Sequence, residues 1–381
     1  IINSNIINQI KKDKKFYKFD GLAIDSRDVK KNNLFLAVKG KKNNGNNFIS
    51  KAIKKGANLI ASSKINKSYR NKTLKVDNEI AFLNKFACLK RSNSNAKIIA
   101  ITGSAGKTSV KNLLGDLLEV FGKTYASPRS FNNHFGVPIS LSNLNADHKY
   151  GVFEVGMSKE GEINRLSKMI KPNVGLITNI GEAHIENFKN IKGIAKAKSE
   201  IINNIETNGT VILNHDDRFF NYLRKKAKSK NIKVVSFGMT KKANVHPIKV
   251  IKIGDLLKII IKIEEKIIKL KIKNINICNV LSSLAIIKVL GLNVNKIINI
   301  YKNFEPSDGR GKIHTIKRYK KFFKLIDESY NANPLSVKNA INNFSSIKKN
   351  KFKKYLLLGD MLELGKKSEM YHKNLSRLIN R

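Results

Sequence analysis

The chain has 381 residues, enough for two or three domains that each bury a core. Hydrophobic residues are 41% and aromatics 8%, which excludes a disordered chain, and no run approaches the ~20 apolar residues of a membrane span. The formal net charge of +46 is carried by lysines scattered among Asn and Ile, with no basic block interleaved with aromatics. That distribution reads as a drift in composition, so nucleic acid is not an expected partner. Cys88 and Cys278 stand far apart, without metal-ligand spacing, as reduced thiols do.

In chain order, residues 1–95 carry short elements. Asn33–Val38 reads as a strand, the polar run Lys41 to Asn47 as a turn and Phe48–Gly56 as a helix. Ser92-Asn93-Ser94-Asn95 reads as a linker. Residues 96–305 alternate strands, expected at 97–101, 150–155, 174–178, 210–213 and 233–237, with helical patterns. That alternation predicts a parallel sheet covered on both faces. From Val250 to Lys273, Ile and Lys alternate around Gly254-Asp255 and Glu264-Glu265, which predicts antiparallel hairpins. A helix is expected from Asn279 to Leu290, stopped by Gly291. Residues 306–381 carry a strand ending at Ile326-Asp327, a helix Pro334–Phe344 and a strand Tyr355–Leu358. The predicted class is α/β with three domains, 1–95, 96–305 and 306–381. The last is doubly wound in style but shorter than the ~100 residues such a domain needs, so it is expected to be incomplete.

The strongest local signal is Ile98-Ile99-Ala100-Ile101-Thr102 running into Gly103-Ser104-Ala105-Gly106-Lys107-Thr108-Ser109, then a helical pattern from Val110 to Phe121. Glycines let backbone approach a phosphate, and loop N–H groups at a helix N-terminus attract an anion. The lysine meets the outer phosphates, and the threonine hydroxyl suits a magnesium ion. A nucleoside triphosphate is the expected ligand. Ile101 occupies the place of the usual first glycine, so the motif is a shorter T-G-x-x-G-K-T form. Ligands of open parallel sheets gather at the carboxyl ends of strands. Glu154 and His184 lie at or just past such ends, and Lys198 sits in a helical stretch. A carboxylate beside the loop threonine suits magnesium, which prefers oxygen donors. Taken singly, His184 reads as a loop residue and Lys198 as a solvated one.

Together these runs resemble the Mur ligase family. The matching order is T-G-S-A-G-K-T (102–108), F-N-N-H-F-G-V-P (131–138), F-E-V-G-M (153–157), T-N-I-G-E-A-H (178–184), A-K-A-K-S-E (195–200) and N-H-D-D (214–217). I-D-E-S-Y-N-A-N-P-L-S (326–336) and L-G-D-M-L-E-L-G (358–365) resemble the branch that adds D-alanyl-D-alanine. D-S-R (25–27) and N-L-F-L-A-V-K-G (33–40) are similar to the family's uridine-nucleotide domain.

The resemblance implies an ATP-dependent amide ligase of peptidoglycan precursor synthesis, a cytoplasmic monomer working through an acyl-phosphate. Its implied substrates are UDP-N-acetylmuramoyl-tripeptide and D-alanyl-D-alanine. Gly103, Ser104, Ala105, Gly106, Lys107, Thr108 and Ser109 would hold the ATP phosphates, Asn279 adenine and Asp327 the ribose, with Arg310 reaching the phosphates. Two magnesium ions are implied, one on Thr108 and Glu154, the other on His184 and a carbamylated Lys198. Lys107, Glu154, His184 and Lys198 are the implied catalytic set. Ser26 and Arg27 would meet the uridine-diphosphate part, and Asn132 and Asn133 the γ-phosphate and nucleotide-linked substrate. Tyr330, Asn331 and Asn333 would place the dipeptide. The chain departs from the family at Cys278, where His is usual, at Ser282, where Asn is usual, and at Asn46, where His is common. A ligase of the same family with a different amine, or a nucleic-acid-stimulated P-loop ATPase, are the alternative readings.

Overall fold

Short apolar runs early in the chain pair into a small parallel sheet. The computed structural model describes residues 18–40, 43–253, 256–273, 275–347 and 353–380. In it β1 (Gly21–Ala23), β2 (Asn33–Leu36), β3 (Ala57–Ser62) and β4 (Thr73–Lys75) lie in that order, all parallel. Helix α1 (Ile49–Lys54) buries Ile49 and Ala52 with Phe35 and Ile60 on one face. It is shorter than the expected Phe48–Gly56, because residues 45–48 form a 3₁₀ turn first. Helix α2 (Glu79–Ser92) opens on Asn78, whose side chain accepts from the N–H groups of Ile80 and Ala81. It buries Phe82, Leu83 and Phe86 with Leu34 and Leu36 on the other face. Of the expected polar turn, Lys41 and Lys42 lie outside the described residues.

The next stretch alternates strands and helices: β5 (Lys97–Thr102), α3 (Lys107–Glu119), β6 (Thr124–Ala126), α4 (Gly136–Ser142), β7 (Tyr150–Glu154), α5 (Glu162–Ile170) and β8 (Val174–Ile177). It continues with α6 (Ile191–Ser199), β9 (Thr210–Asn214), α7 (Phe220–Lys228) and β10 (Lys233–Phe237). Then come β11 (Val245–Ile253), β12 (Leu256–Ile263), β13 (Lys266–Ile272) and α8 (Ile277–Val289). The sheet runs β13-β12-β11-β10-β9-β8-β5-β7-β6 among the described residues. It is parallel as far as β11 and antiparallel through β12 and β13. The hairpins begin at Val245, earlier than the Ile/Lys alternation suggests, and their Gly254-Asp255 turn lies outside the described residues. Helices α3 and α8 cover one face through Val110, Leu113, Leu117, Val280 and Leu284. The other face is covered by α4 to α7 through Val137, Ile163, Ile194 and Leu223. Chain order reverses at β5, which lies between β7 and β8. Loops leaving the carboxyl ends of neighbouring strands diverge there and open a crevice.

Beyond α9 (Ile298–Asn303), β14 (Lys312–Arg318) and β15 (Lys321–Asp327) pair antiparallel as a two-stranded sheet. Helices α10 (Pro334–Ser345) and α11 (Ser368–Ile379) share a cluster of Ile341, Met361, Leu364 and Leu375. The strand expected over Tyr355–Leu358 does not form: the segment joins no sheet among the described residues, and Leu357 is 92% exposed. An apolar run becomes a strand only against a ladder that satisfies its backbone, and this segment pairs with neither open edge of the β14–β15 sheet. No described helix is long and apolar enough to cross a membrane.

Candidate active site

The crevice is floored by the loop between β5 and α3. Gly103 and Gly106 hold φ of +147° and +83°, conformations that side chains rarely adopt. A Cβ on Gly103 would lie 1.9 Å from Thr178 Oγ1. The helix begins at Lys107, ahead of the apolar pattern expected from Val110, because left-handed Gly106 forms its N-cap. Lys107, Thr108 and Ser109 therefore occupy its first turn, where N–H groups lack intrahelical partners. The segment after β8 braces the loop. Ala105 N–H donates to Asn179 Oδ1 at 2.9 Å, Thr178 Oγ1 donates to the Ala105 carbonyl at 2.6 Å, and Ser104 Oγ donates to the Gly181 carbonyl at 2.9 Å.

Glu154 ends β7 one strand away and is 1% exposed. Thr108 Oγ1 donates to its Oε2 at 2.8 Å, and Asn132 Nδ2 donates to its Oε1 at 2.7 Å. Ser130 Oγ lies 3.3 Å from Thr108 Oγ1. This set of carboxylate and hydroxyl oxygens fits one magnesium ion that takes its other ligands from phosphates and water. Among the described residues no three His, Cys, Asp or Glu side chains converge, so the protein alone forms no closed metal cage.

Two lysines meet on one carbonyl oxygen of the loop. Lys107 Nζ donates to the Gly103 carbonyl at 2.8 Å, and Lys198 Nζ, from α6, donates to the same oxygen at 3.1 Å. Lys198 is 2% exposed; burial, and secondarily the Lys107 charge, push its amine well below the usual value. Lys107 is lowered as well, chiefly by burial, with Glu154 opposing and Arg310 adding to the shift. As an ammonium, Lys198 would repel a cation, whereas a carbamate at this position would offer oxygens to one. His184 has φ of +60° and opens a 3₁₀ turn, Ile185–Asn187, with its Nδ1 against the Glu363 carboxylate.

Residues from the C-terminal segment cover the loop. Arg310 Nη2 donates to Thr108 Oγ1 at 3.3 Å, and its guanidinium lies 4.2 Å from the Tyr330 ring centre. Arg310 Nε is buried without a partner among the described residues. Asn333 reaches the Ser104 carbonyl at 3.3 Å while its Oδ1 caps α10. Asn279 lies in the first turn of α8, its Oδ1 3.0 Å from where a Cβ on Gly106 would be.

Other expected site residues have architectural partners. Asp327 accepts from Gly309 N–H at 2.9 Å and from Ser329 Oγ at 2.6 Å, closing the loop that carries Arg310. Asn133 Oδ1 accepts from the N–H groups of Phe135 and Gly136 at the start of α4. Asn331 is exposed. Ser26 is buried in the loop after β1, where Arg27 pairs with Asp25 at 2.6 Å. That loop meets the central sheet through Arg129, which donates to Asp28 at 2.8 Å.

Lys111, Ser130, Asn179 and Glu363 also belong to the site, though none stands out in the sequence. Lys111, 1% exposed, donates from Nζ to the carbonyls of Ser127 at 2.6 Å and Arg129 at 2.5 Å. The available signal was a lysine set among the buried Val110, Leu113 and Leu114 of one helix.

The Mur ligase middle-domain model matches residues 101–287, and the model described as Mur ligase family, catalytic domain, matches residues 18–90. The UDP-N-acetylmuramoyl-tripeptide–D-alanyl-D-alanine ligase of Rickettsia prowazekii is 36% identical over 359 residues, 93% of this chain and 78% of that protein. Its counterpart in Bacillus subtilis is 29% identical, over 94% of this chain and 77% of its own length. Among solved structures, MurF from Acinetobacter baumannii superposes with a TM-score of 0.84 at 27% identity, covering 99% of this chain and 83% of its own. Thermotoga maritima MurF in complex with ADP gives 0.79 at 26%, covering 94% and 82%. The chain belongs to the Mur ligase family, in its UDP-N-acetylmuramoyl-tripeptide–D-alanyl-D-alanine ligase branch.

Proposed function

We propose that this chain joins D-alanyl-D-alanine to UDP-N-acetylmuramoyl-tripeptide at the expense of ATP, as a cytoplasmic monomer. The observation that carries the reading is the Thr108–Glu154 hydrogen bond of 2.8 Å at the phosphate loop, overlaid by Arg310 from the C-terminal segment. ATP lies along Gly103–Ser109, with Lys107 on its outer phosphates and Asn279 beside the base. A carboxylate oxygen of the tripeptide attacks the γ-phosphorus. The bond to the bridging oxygen breaks, and ADP leaves with the electron pair. The dipeptide amine then attacks the acyl-phosphate carbon, inorganic phosphate departs and the amine loses a proton to solvent. Lys107 and Arg310 meet the charge on the transferring phosphoryl group. Thr108 and Glu154 would hold one magnesium ion, and His184 with carbamylated Lys198 a second. When bound, these ions neutralise phosphate charge. Asn132 orients Glu154, Asn133 shapes the same loop, and Ser26 and Arg27 sit where the uridine-diphosphate end would dock. Tyr330, Asn331 and Asn333 lie on the segment that receives the dipeptide, and Asp327 holds that segment's turn. Cover from the C-terminal segment keeps water from the acyl-phosphate.

The test is ADP release with the nucleotide tripeptide and D-alanyl-D-alanine, each omitted in turn. Release that requires both, and is abolished in Lys107→Ala, supports the reading. ADP release independent of the tripeptide, or unchanged in Lys107→Ala, overturns it.

A further inference from the structure

His184 and Glu363 lie far apart in sequence, yet several independent contacts hold their segments together. Glu186 N–H donates to the Glu363 carbonyl at 3.2 Å. Ile185 packs against the cluster of Ile341, Met361, Leu364 and Leu375. A Cβ on Gly365 would lie 3.1 Å from Glu186 Cβ, so the backbones approach closely. Both His184 and Glu363 hold φ of +60°, a conformation costly for non-glycine residues that concentrates at functional sites. At the centre the Glu363 carboxylate meets His184 Nδ1. Nδ1 is buried and has no other polar partner among the described residues, so the carboxylate is the group that faces it.

We propose that Glu363 is a positioning residue for His184, holding the imidazole with its proton on Nδ1 and leaving Nε2 as the free lone pair. A histidine that ligates a metal commonly gives its other ring N–H to a carboxylate, which fixes both tautomer and orientation. Here that carboxylate comes from the C-terminal segment. His184 is therefore set for a ligand only when residues 361–365 are docked on the turn after it. Cover and site assembly become one event. This inference rests on the metal–nucleotide site proposed above.

The experiment uses the full chain labelled with ¹⁵N-histidine, as wild type, E363Q, E363D, E363A and E363M, with His184 assigned by comparison with H184Q. In the wild type, His184 is expected to carry its proton on Nδ1. In E363A it should shift to a mixture or to the Nε2-protonated form. Mn²⁺ binding in the presence of a β,γ-imido ATP analogue, read by electron paramagnetic resonance, should weaken by about 10–100-fold in E363A. E363D should restore part of both effects. E363Q, whose amide oxygen still accepts from Nδ1, should keep the tautomer; E363M, similar in size and without an acceptor oxygen, carries the test should E363A fail to fold. An unchanged tautomer and unchanged Mn²⁺ affinity in folded E363A or E363M overturn the proposal. A wild type that binds no Mn²⁺ with the nucleotide overturns the metal-site reading, and this inference with it.

Discussion

Lys107 and Lys198 donate to one oxygen: the Gly103 carbonyl lies 2.8 Å from the first Nζ and 3.1 Å from the second. Two ammonium groups on one acceptor repel each other, and the buried Lys198 bears the larger depression. A neutral amine is the form that attacks carbon dioxide, and the product replaces a repelling cation by an anionic oxygen pair. Lys198 is accordingly expected to carry a carbamate. Labelled bicarbonate should give a protein-bound ¹³C signal that is absent in Lys198→Ala. That variant should lose activity on the order of a hundredfold or more and regain part of it with added short carboxylates. An identical ¹³C signal in both proteins, with no rescue, contradicts this assignment.

Arg310 touches the loop threonine through one nitrogen and stacks on Tyr330. Its planar guanidinium serves both contacts at once; a lysine ammonium does not. Arg310→Lys is expected to lower kcat on the order of 10³-fold while KM for ATP changes little. Tyr330→Leu removes only the stacking, worth about 1 kcal/mol, and should cost roughly fivefold. Steady-state kinetics with ATP varied separates the two. Equal losses in both variants would place the effect in the fold of the loop rather than in the cation.

Lys111 forms no ion pair among the described residues; it pins two carbonyls of the loop that carries Ser130 and Asn132. Burial lowers its amine, with Glu154 opposing, so the ammonium is held at some cost. Lys111→Met leaves both carbonyls without this donor and frees the loop beside Thr108 and Glu154. The expected result is a fall in kcat of about tenfold or more, with a change in stability no larger than about 1–3 kcal/mol. Urea unfolding beside kinetics checks both numbers. A large stability loss with unchanged kcat in the folded fraction would make Lys111 purely architectural.

Local signals carried much of the site. The phosphate loop is contiguous, so its glycines, lysine and threonine are visible in one run of sequence. Its helix start was missed because Lys107-Thr108-Ser109 are weak apolar markers, and the left-handed Gly106 that sets the start is a backbone property. Glu154 was readable as a strand-end carboxylate, but its partners Thr108 and Asn132 come together only through the strand order β8-β5-β7. Lys111 and Glu363 escaped for the opposite reason. A helical lysine and a loop glutamate look solvated until packing shows what they hold. Tyr355–Leu358 was misread because an apolar run states a preference for burial without naming the ladder it would join.

Lys90, on α2, offers a pH-dependent test remote from the loop. It is 5% exposed, and its Nζ donates to Asn145 Oδ1 at 3.3 Å. Burial, opposed by Asp147, lowers its amine from 10.5 to about 8. Between those values the unfolded chain binds a proton that the folded chain sheds. Stability contributed by this group therefore rises as pH climbs through that window, and falls as pH drops toward 8. The full swing is at most about 3 kcal/mol. Lys90→Met removes the slope. The variant should exceed the parent in urea midpoint at pH 7, and the difference should shrink steadily toward pH 10. Other lysines titrate alike in both proteins and cancel in the comparison. Parallel midpoint curves across this range would mean that Lys90 keeps its proton at an ordinary affinity, with water reaching its Nζ in solution.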